Sequence, residues 1–284
     1  MALRSLESRV RWLRWTLWRF WSDIVAVWRH GDPATRRLYV WAIVTSLPEI
    51  VRTSSLVPAD RKMAGRVCSF RPQPDCVIEV DGGDFSAARE MYCRRVYFAR
   101  DGFDIRPGET VVDLGANIGL FTTMAAVSGA RVIAVEAQSG FLPAMRANLR
   151  RNGGEDRAEI VQALVGAETG VLSTEENRRS ASAWGDEPDR MGMTELLDRY
   201  GVTHVDLLKI DIEGSEFDLF RDDGFLSGVR RLAMEVHPTH GDVRELRSQV
   251  ERHGFDVALL DSEGRPADAL SGARGGYLFA TRTG

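Results

Sequence analysis

The chain has 284 residues, 44% hydrophobic and 27% charged, which is apolar mass for one large or two small globular domains and too much for a disordered chain. A formal net charge of -4 excludes a general nucleic-acid binder, which needs a surplus of cations to neutralise phosphates. The total hides an asymmetry, because residues 1 to 70 carry twelve Arg and Lys against five Asp and Glu.

From the start, Leu3, Leu6, Val10, Leu13, Leu17, Phe20, Ile24 and Val27 recur at spacings of three and four, the period of a helix with a buried stripe. Trp12, Trp15, Trp18, Trp21 and Trp28 sit around that stripe, interleaved with Arg9, Arg11, Arg14 and Arg19. Indoles on more than one face need a second covering surface. Asp32-Pro33 reads as an N-cap and a first-position proline, and Leu38 to Val44 as a second helix that Pro48 stops or bends. Residues 1–72 are thus expected to form a helical hairpin that caps the rest of the chain or pairs two subunits. A membrane-surface contact through Arg and Trp is the alternative. The arginines interrupt any signal-peptide core, and the longest apolar run, Leu38 to Leu47, is about half of the roughly 20 residues a spanning helix needs. No transmembrane segment is expected. Cys68, Cys76 and Cys93, an odd number without a C-x-x-C pair, fit a reducing, cytoplasmic setting.

From about residue 73 the pattern changes to alternating strand and helix. Val111 to Leu114, Val132 to Val135, Ile160 to Leu164, Val205 to Ile210, Leu232 to Val236, Val257 to Leu260 and Tyr277 to Ala280 are short apolar runs between helical stretches. Continuous apolar strands of this kind predict an α/β fold, a mostly parallel seven-stranded sheet with helices on both faces, over residues 73–284. Asp242 with Glu245 predicts a helix start and Gly254 its end. Leu172 to Met193, a polar stretch containing Trp184, reads as a loop or lid.

The run Val111 to Gly119 is a strand that ends in a glycine-containing bend and opens a helix, the geometry that brings backbone N–H groups to a nucleotide-like ligand. Candidate cofactor contacts are Asp113, Gly115, Asn117 and Gly119. The dinucleotide spacing G-x-G-x-x-G is absent, and an acid just before the bend suits a cationic ammonium better than a pyrophosphate, which favours S-adenosylmethionine over NAD. Glu136 closes the next strand at the spacing of a carboxylate that takes ribose hydroxyls. Asp206 to Glu216 is a strand ending in several carboxylates, and Met234 to Pro238 another ending in Glu235 and His237. With parallel strands, both ends meet beside the bend.

The segments DLGANIG, IAVE, LLKIDIEGSEFDLF and MEVH, in this order over Val111 to Gly254, resemble the FkbM family of S-adenosylmethionine-dependent methyltransferases. The resemblance implies a class I Rossmann-like methyltransferase with an antiparallel last strand. It also implies O-methylation of a hydroxyl on a sugar, polyketide or other secondary metabolite, as in antibiotic biosynthesis, with a small-molecule acceptor.

An alcohol does not ionise near neutrality, so its methylation needs a base or a metal. His237 is the expected base, oriented by Asp211 or Glu235, and Asp211 can instead hold the methionine ammonium. A magnesium site built from Asp211, Glu235 and His237 is the less favoured option, since magnesium prefers all-oxygen ligation. Glu213 and Glu216 read as helix-capping acids, and Lys209 as a structural cation. N- or carboxyl-methylation, or cofactor binding without catalysis, are the competing functions.

Overall fold

The computed structural model describes residues 18, 20–166, 188–270 and 275–283, so most of the stretch expected to form the first, Trp-rich helix and most of Leu172 to Met193 lie outside the described residues. The chain divides into two compact units between Arg95 and Val96.

In the first unit residues 20–30 are helical, and a second helix spans Pro33–Thr53. The Asp32 side chain accepts the Thr35 N–H at 2.7 Å, so the expected cap is present. Pro48 does not end this helix. It removes one backbone N–H from the helix at an exposed position, where the loss costs least. A short helix, Val57–Met63, leads into an antiparallel hairpin of β1 (Val67–Gln73) and β2 (Cys76–Asp81), which the helical expectation for residues 1–72 did not contain. The same packing carries the unit past residue 72. Phe70 of β1 packs against Phe85 in a tilted pair, ring centroids 4.8 Å apart, and Arg89 forms a fork to the Asp60 carboxylate and an ion pair with Asp23. All three charged groups are buried. Cys68 and Cys76 are free thiols, each pushed up to about 12 by burial.

The second unit is an eight-stranded sheet. Its strands are β3 (Thr110–Leu114), β4 (Arg131–Val135), β5 (Ala158–Val161), β8 (Leu207–Ile210), β9 (Arg231–Val236), β10 (Phe255–Asp261), β11 (Pro266–Ala267) and β12 (Gly276–Arg282), in the order β11-β10-β12-β9-β8-β3-β4-β5. Pairing is parallel from β5 through β9, and β12 runs antiparallel between β9 and β10. This is the α/β sheet expected from the apolar runs, with the two-residue β11 added at one edge. Helices Leu120–Val127, Leu142–Arg151 and Val243–Arg252 connect successive strands; the last has the Asp242 cap that the sequence predicts and buries Val243, Leu246 and Val250 on one face.

One predicted strand is two. The pairing of β4 with β5 ends where Glu136 N–H donates to the Val161 carbonyl. The chain leaves at Gln162 and forms β6 (Ala163–Val165), which pairs in parallel with β7 (Asp189–Met191). The end of the expected polar loop is therefore a strand followed by the helix Met193–Arg199.

The sheet order reverses at β3, whose neighbours are β4 on one side and β8 on the other. Open α/β sheets bind ligands in the crevice outside the carboxyl ends of the strands at such a point.

Candidate functional site

The bend after β3 is built around glycine. Gly115 has φ +74°, and a Cβ there would lie 1.8 Å from the Asp211 carbonyl oxygen, so the bend and the end of β8 touch through backbone alone. Asn117 is left-handed (φ 52°) and its side chain accepts the Ile118 N–H, a local bond that suits asparagine to this position. Gly119, φ +79°, starts the helix with its Cα side closed by Met145, so it serves packing.

Asp113 departs from its expected role. Its carboxylate is fully buried, accepts the Thr122 hydroxyl at 2.6 Å and pairs with Lys209 Nζ at 3.0 Å, so it faces the interior and does not line the cleft. The strand alternation explains this: Asp113 pairs with Lys209 in register across β3 and β8, and the two side chains share one face of the sheet. Burial lowers the Lys209 pKa, but Asp113 and Asp211 outweigh it and hold the ammonium charged. Lys209 also donates to the Gly115 carbonyl at 2.8 Å, which fixes the bend from below.

Glu136, at the end of β4, is nearly buried and spans two loops. Its Oε2 accepts the Asn117 N–H at 2.7 Å and its Oε1 the Gln138 N–H at 2.8 Å. Burial raises its pKa, and the two N–H donors and Lys209 work against that rise. Each carboxylate oxygen keeps a further acceptor site. The cleft it faces is lined by Gly115 and Asn117 on one side, by Asp211 and Glu213 on another, and by the apolar wall of Ala163 to Val165. One acid with adjacent acceptors beside an apolar wall matches a sugar-and-base ligand in shape of chemistry: hydroxyls for the carboxylate, an aromatic ring for the wall.

The ends of β8 and β9 bring four more acids and two ring side chains together. Tyr97, absent from the sequence reading, donates its hydroxyl to Asp211 Oδ2 at 2.7 Å and lies 3.4 Å from Glu235 Oε2. Burial first, then these two carboxylates, push the phenol well above its usual range, so it stays a donor. Asp211 and Glu235 therefore gather on Tyr97 and do not orient His237, contrary to expectation. His237 belongs to Glu216. That carboxyl is fully buried; its Oε1 accepts the His237 backbone N–H at 2.7 Å and lies 3.1 Å from Nδ1, and its Oε2 accepts the Gly214 N–H. Glu216 thus caps the local turn, as expected, and also anchors the imidazole. His237 Nε2 points toward Glu213 Oε2, 3.5 Å away.

Burial alone would lower the His237 pKa; the hydrogen bond and charge of Glu216, then Glu235 and Glu213, reverse this and raise it to about 9. Its folded value exceeds the unfolded one, so the stability it lends is complete below about pH 6.5 and is lost as pH rises through about 9. Asp211, Glu213 and His237 place one ligand atom each within 4.8 Å of one another. The metal set foreseen from sequence differs by one residue: Glu235 is turned to Tyr97, and Glu213, whose backbone is left-handed (φ 54°), stands in its place.

Residues 113–257 match the methyltransferase FkbM domain model. The 31-O-demethyl-FK506 methyltransferase FkbM of Streptomyces tacrolimicus is 27% identical over 66% of this chain and 87% of its own length. The AMB antimetabolite synthetase AmbE of Pseudomonas aeruginosa is 29% identical over 60% of this chain, which spans about a tenth of that synthetase. Among solved structures, an rRNA methylase from Streptococcus thermophilus aligns over 68% of this chain and 95% of its own at 14% identity, with a TM-score of 0.41. The matched segment begins at the acid of the bend, takes in Glu136, Asp211, Glu216 and His237, and covers half of the sequence, so the chain belongs to the FkbM methyltransferase family.

Proposed function

We propose that this methyltransferase transfers the methyl group of S-adenosylmethionine to a hydroxyl oxygen of a natural product or a sugar-containing secondary metabolite. The observation that carries the reading is the cleft at the β3 bend, where Glu136 offers free acceptor sites beside an apolar wall at the carboxyl ends of β3, β4 and β8. Glu136 holds the ribose hydroxyls, the backbone of Gly115 to Asn117 lies against the ligand, and Asp211 takes the ammonium of the methionine part. The residues fit this group in charge and polarity: the cleft offers carboxylates for its hydroxyls and ammonium, and the apolar Ala163 to Val165 for its base.

Charge-assisted hydrogen bonds of this kind contribute about 1.5–3 kcal/mol each. A Glu136→Gln variant is therefore expected to bind S-adenosylhomocysteine roughly 10- to 100-fold more weakly in titration calorimetry, with an unchanged circular dichroism spectrum. Equal affinity in the two proteins overturns the assignment.

Bound in the cleft, S-adenosylmethionine supplies a methyl group already activated by its sulfonium. The protein aligns the acceptor and removes its proton. His237 Nε2 takes that proton while Glu216 holds Nδ1 and stabilises the imidazolium, the arrangement of an oriented base. With a value of about 9, roughly one His237 in a hundred is neutral at pH 7. The rate is therefore expected to climb about tenfold per pH unit from neutrality and level off toward pH 9. His237→Ala loses about 10²- to 10⁴-fold in kcat and the pH dependence with it. A variant that keeps both assigns the proton to another group, or the acceptor to a carboxyl or amine that needs no strong base.

A further inference from the structure

The first unit exposes apolar surface in a pattern that packing within the unit does not use. On the helix Pro33–Thr53 the residues Val40, Val44, Leu47 and Val51 follow each other at spacings of four, three and four, so they form one stripe, and all are exposed, Val51 at 72%. The opposite face, with Tyr39, Ala42, Ser46 and Ile50, is the one that is buried. The preceding helix repeats the pattern with Trp18, Trp21, Val25 and Trp28, where Trp21 is 68% exposed. Large exposed apolar patches on a soluble chain mark a surface made for a partner.

The charges beside the stripes say which partner. Arg36 and Arg37 stand one turn before Val40, on either side of the stripe, and the Arg36 guanidinium lies over the Trp28 ring at 5.6 Å. Arg66 covers Trp41 at 4.8 Å. Arg29, Arg37, Arg52, Arg61, Lys62 and Arg66 are exposed; of the described acids of the helical region, Asp23 and Asp60 are buried on Arg89 and Asp32 and Glu49 are at the surface, while the other exposed acids of the unit, Asp75, Asp81 and Asp84, lie on or after the β1–β2 hairpin. The internal neutralisation of two acids leaves the described helical region with exposed apolar stripes and an excess of exposed cations. A second copy would bring the same cations against it, and an acidic partner protein would satisfy the charges without the aliphatic stripe. Exposed indoles and aliphatic side chains with arginines packed beside them match headgroups above and acyl chains below.

We propose that the amino-terminal unit docks on an anionic lipid surface, lying in its plane with Val40 to Val51 and the indoles inserted and the arginines on the phosphates. Among the described residues no helix is long and apolar enough to cross a membrane, in keeping with a surface contact. The inference is independent of the acceptor and of the base.

The test is sedimentation of the full chain with phosphatidylcholine vesicles, with and without 30% phosphatidylglycerol. Binding is expected to be at least tenfold stronger to the anionic vesicles and to fall at high salt, as each cation near such a surface contributes roughly fivefold. Val44→Glu with Val51→Glu is expected to abolish sedimentation, and Arg37→Glu with Arg52→Glu to remove the preference for the anionic lipid, while both pairs keep wild-type affinity for S-adenosylhomocysteine. Absence of vesicle binding by the wild-type chain overturns the proposal, and so does a dimer in sedimentation velocity that the Val44→Glu and Val51→Glu pair dissociates, which assigns the face to a second copy.

Discussion

Lys209→Met is expected to lower the stability of the second unit by about 3–5 kcal/mol, because the substitution leaves the Asp113 carboxylate in a dry interior with only the Thr122 hydroxyl for a partner. For a unit of this size the midpoint of thermal unfolding falls by on the order of 10 °C. The pair itself is not the source of the fold's stability, since two desolvated charges recover little more than their burial cost. Its value is positional. Lys209 donates to the Gly115 and Leu114 carbonyls, and so ties the bend after β3 to β8. Differential scanning calorimetry on three proteins separates the two contributions. If the account is right, Asp113→Leu combined with Lys209→Met regains most of the lost midpoint and binds S-adenosylhomocysteine more weakly than the wild type, because the charge problem is gone and the tether is not restored. A single Lys209→Met protein that melts with the wild type refutes it.

That pair also marks how far the sequence carried. The bend, Glu136 and the ends of β8 and β9 were legible because each is local: an apolar run, then a turn residue or acid at its carboxyl end, repeated strand after strand. What the side chains do across strands was not. Asp113 reads as a ligand contact when β3 is considered alone and as half of a buried pair once its register with Lys209 is known. His237 has Asp211 and Glu235 closer in sequence logic than Glu216, yet Glu216 reaches it from the start of the short helix Glu216–Leu219 that follows β8, 21 residues earlier. Tyr97 carried no signal, being 114 residues from Asp211 with no motif around it. The hairpin β1–β2 was missed for a different reason. Cys76 to Val80 alternates buried and half-buried residues as a strand does, but the stretch is short and follows a strongly helical segment.

The second large effect concerns the bend itself. Gly115→Ala places a methyl group 1.8 Å from the Asp211 carbonyl oxygen and 2.8 Å from its carbon. Neither atom belongs to a flexible side chain, so β3 and β8 must separate where the cleft begins, or the bend must leave its left-handed conformation. Gly108→Ala supplies the comparison. It has φ +82°, similar to the +74° of Gly115, but a Cβ there meets nothing within 4 Å. The two substitutions share the conformational cost of a left-handed alanine, about 1–2 kcal/mol, and only Gly115→Ala adds the collision. Gly108→Ala is therefore expected to melt a few degrees lower and to bind S-adenosylhomocysteine as the wild type does. Gly115→Ala is expected to lose affinity by more than a hundredfold, on the order of 3 kcal/mol, along with a larger drop in melting temperature. Because the shared backbone cost cancels between the variants, the difference in affinity measures the close approach of the bend to β8. If calorimetry returns the same affinity for both, the cleft at the carboxyl end of β3 is not where the adenosyl ligand sits, and the proposed roles of Glu136 and Asp211 go with it.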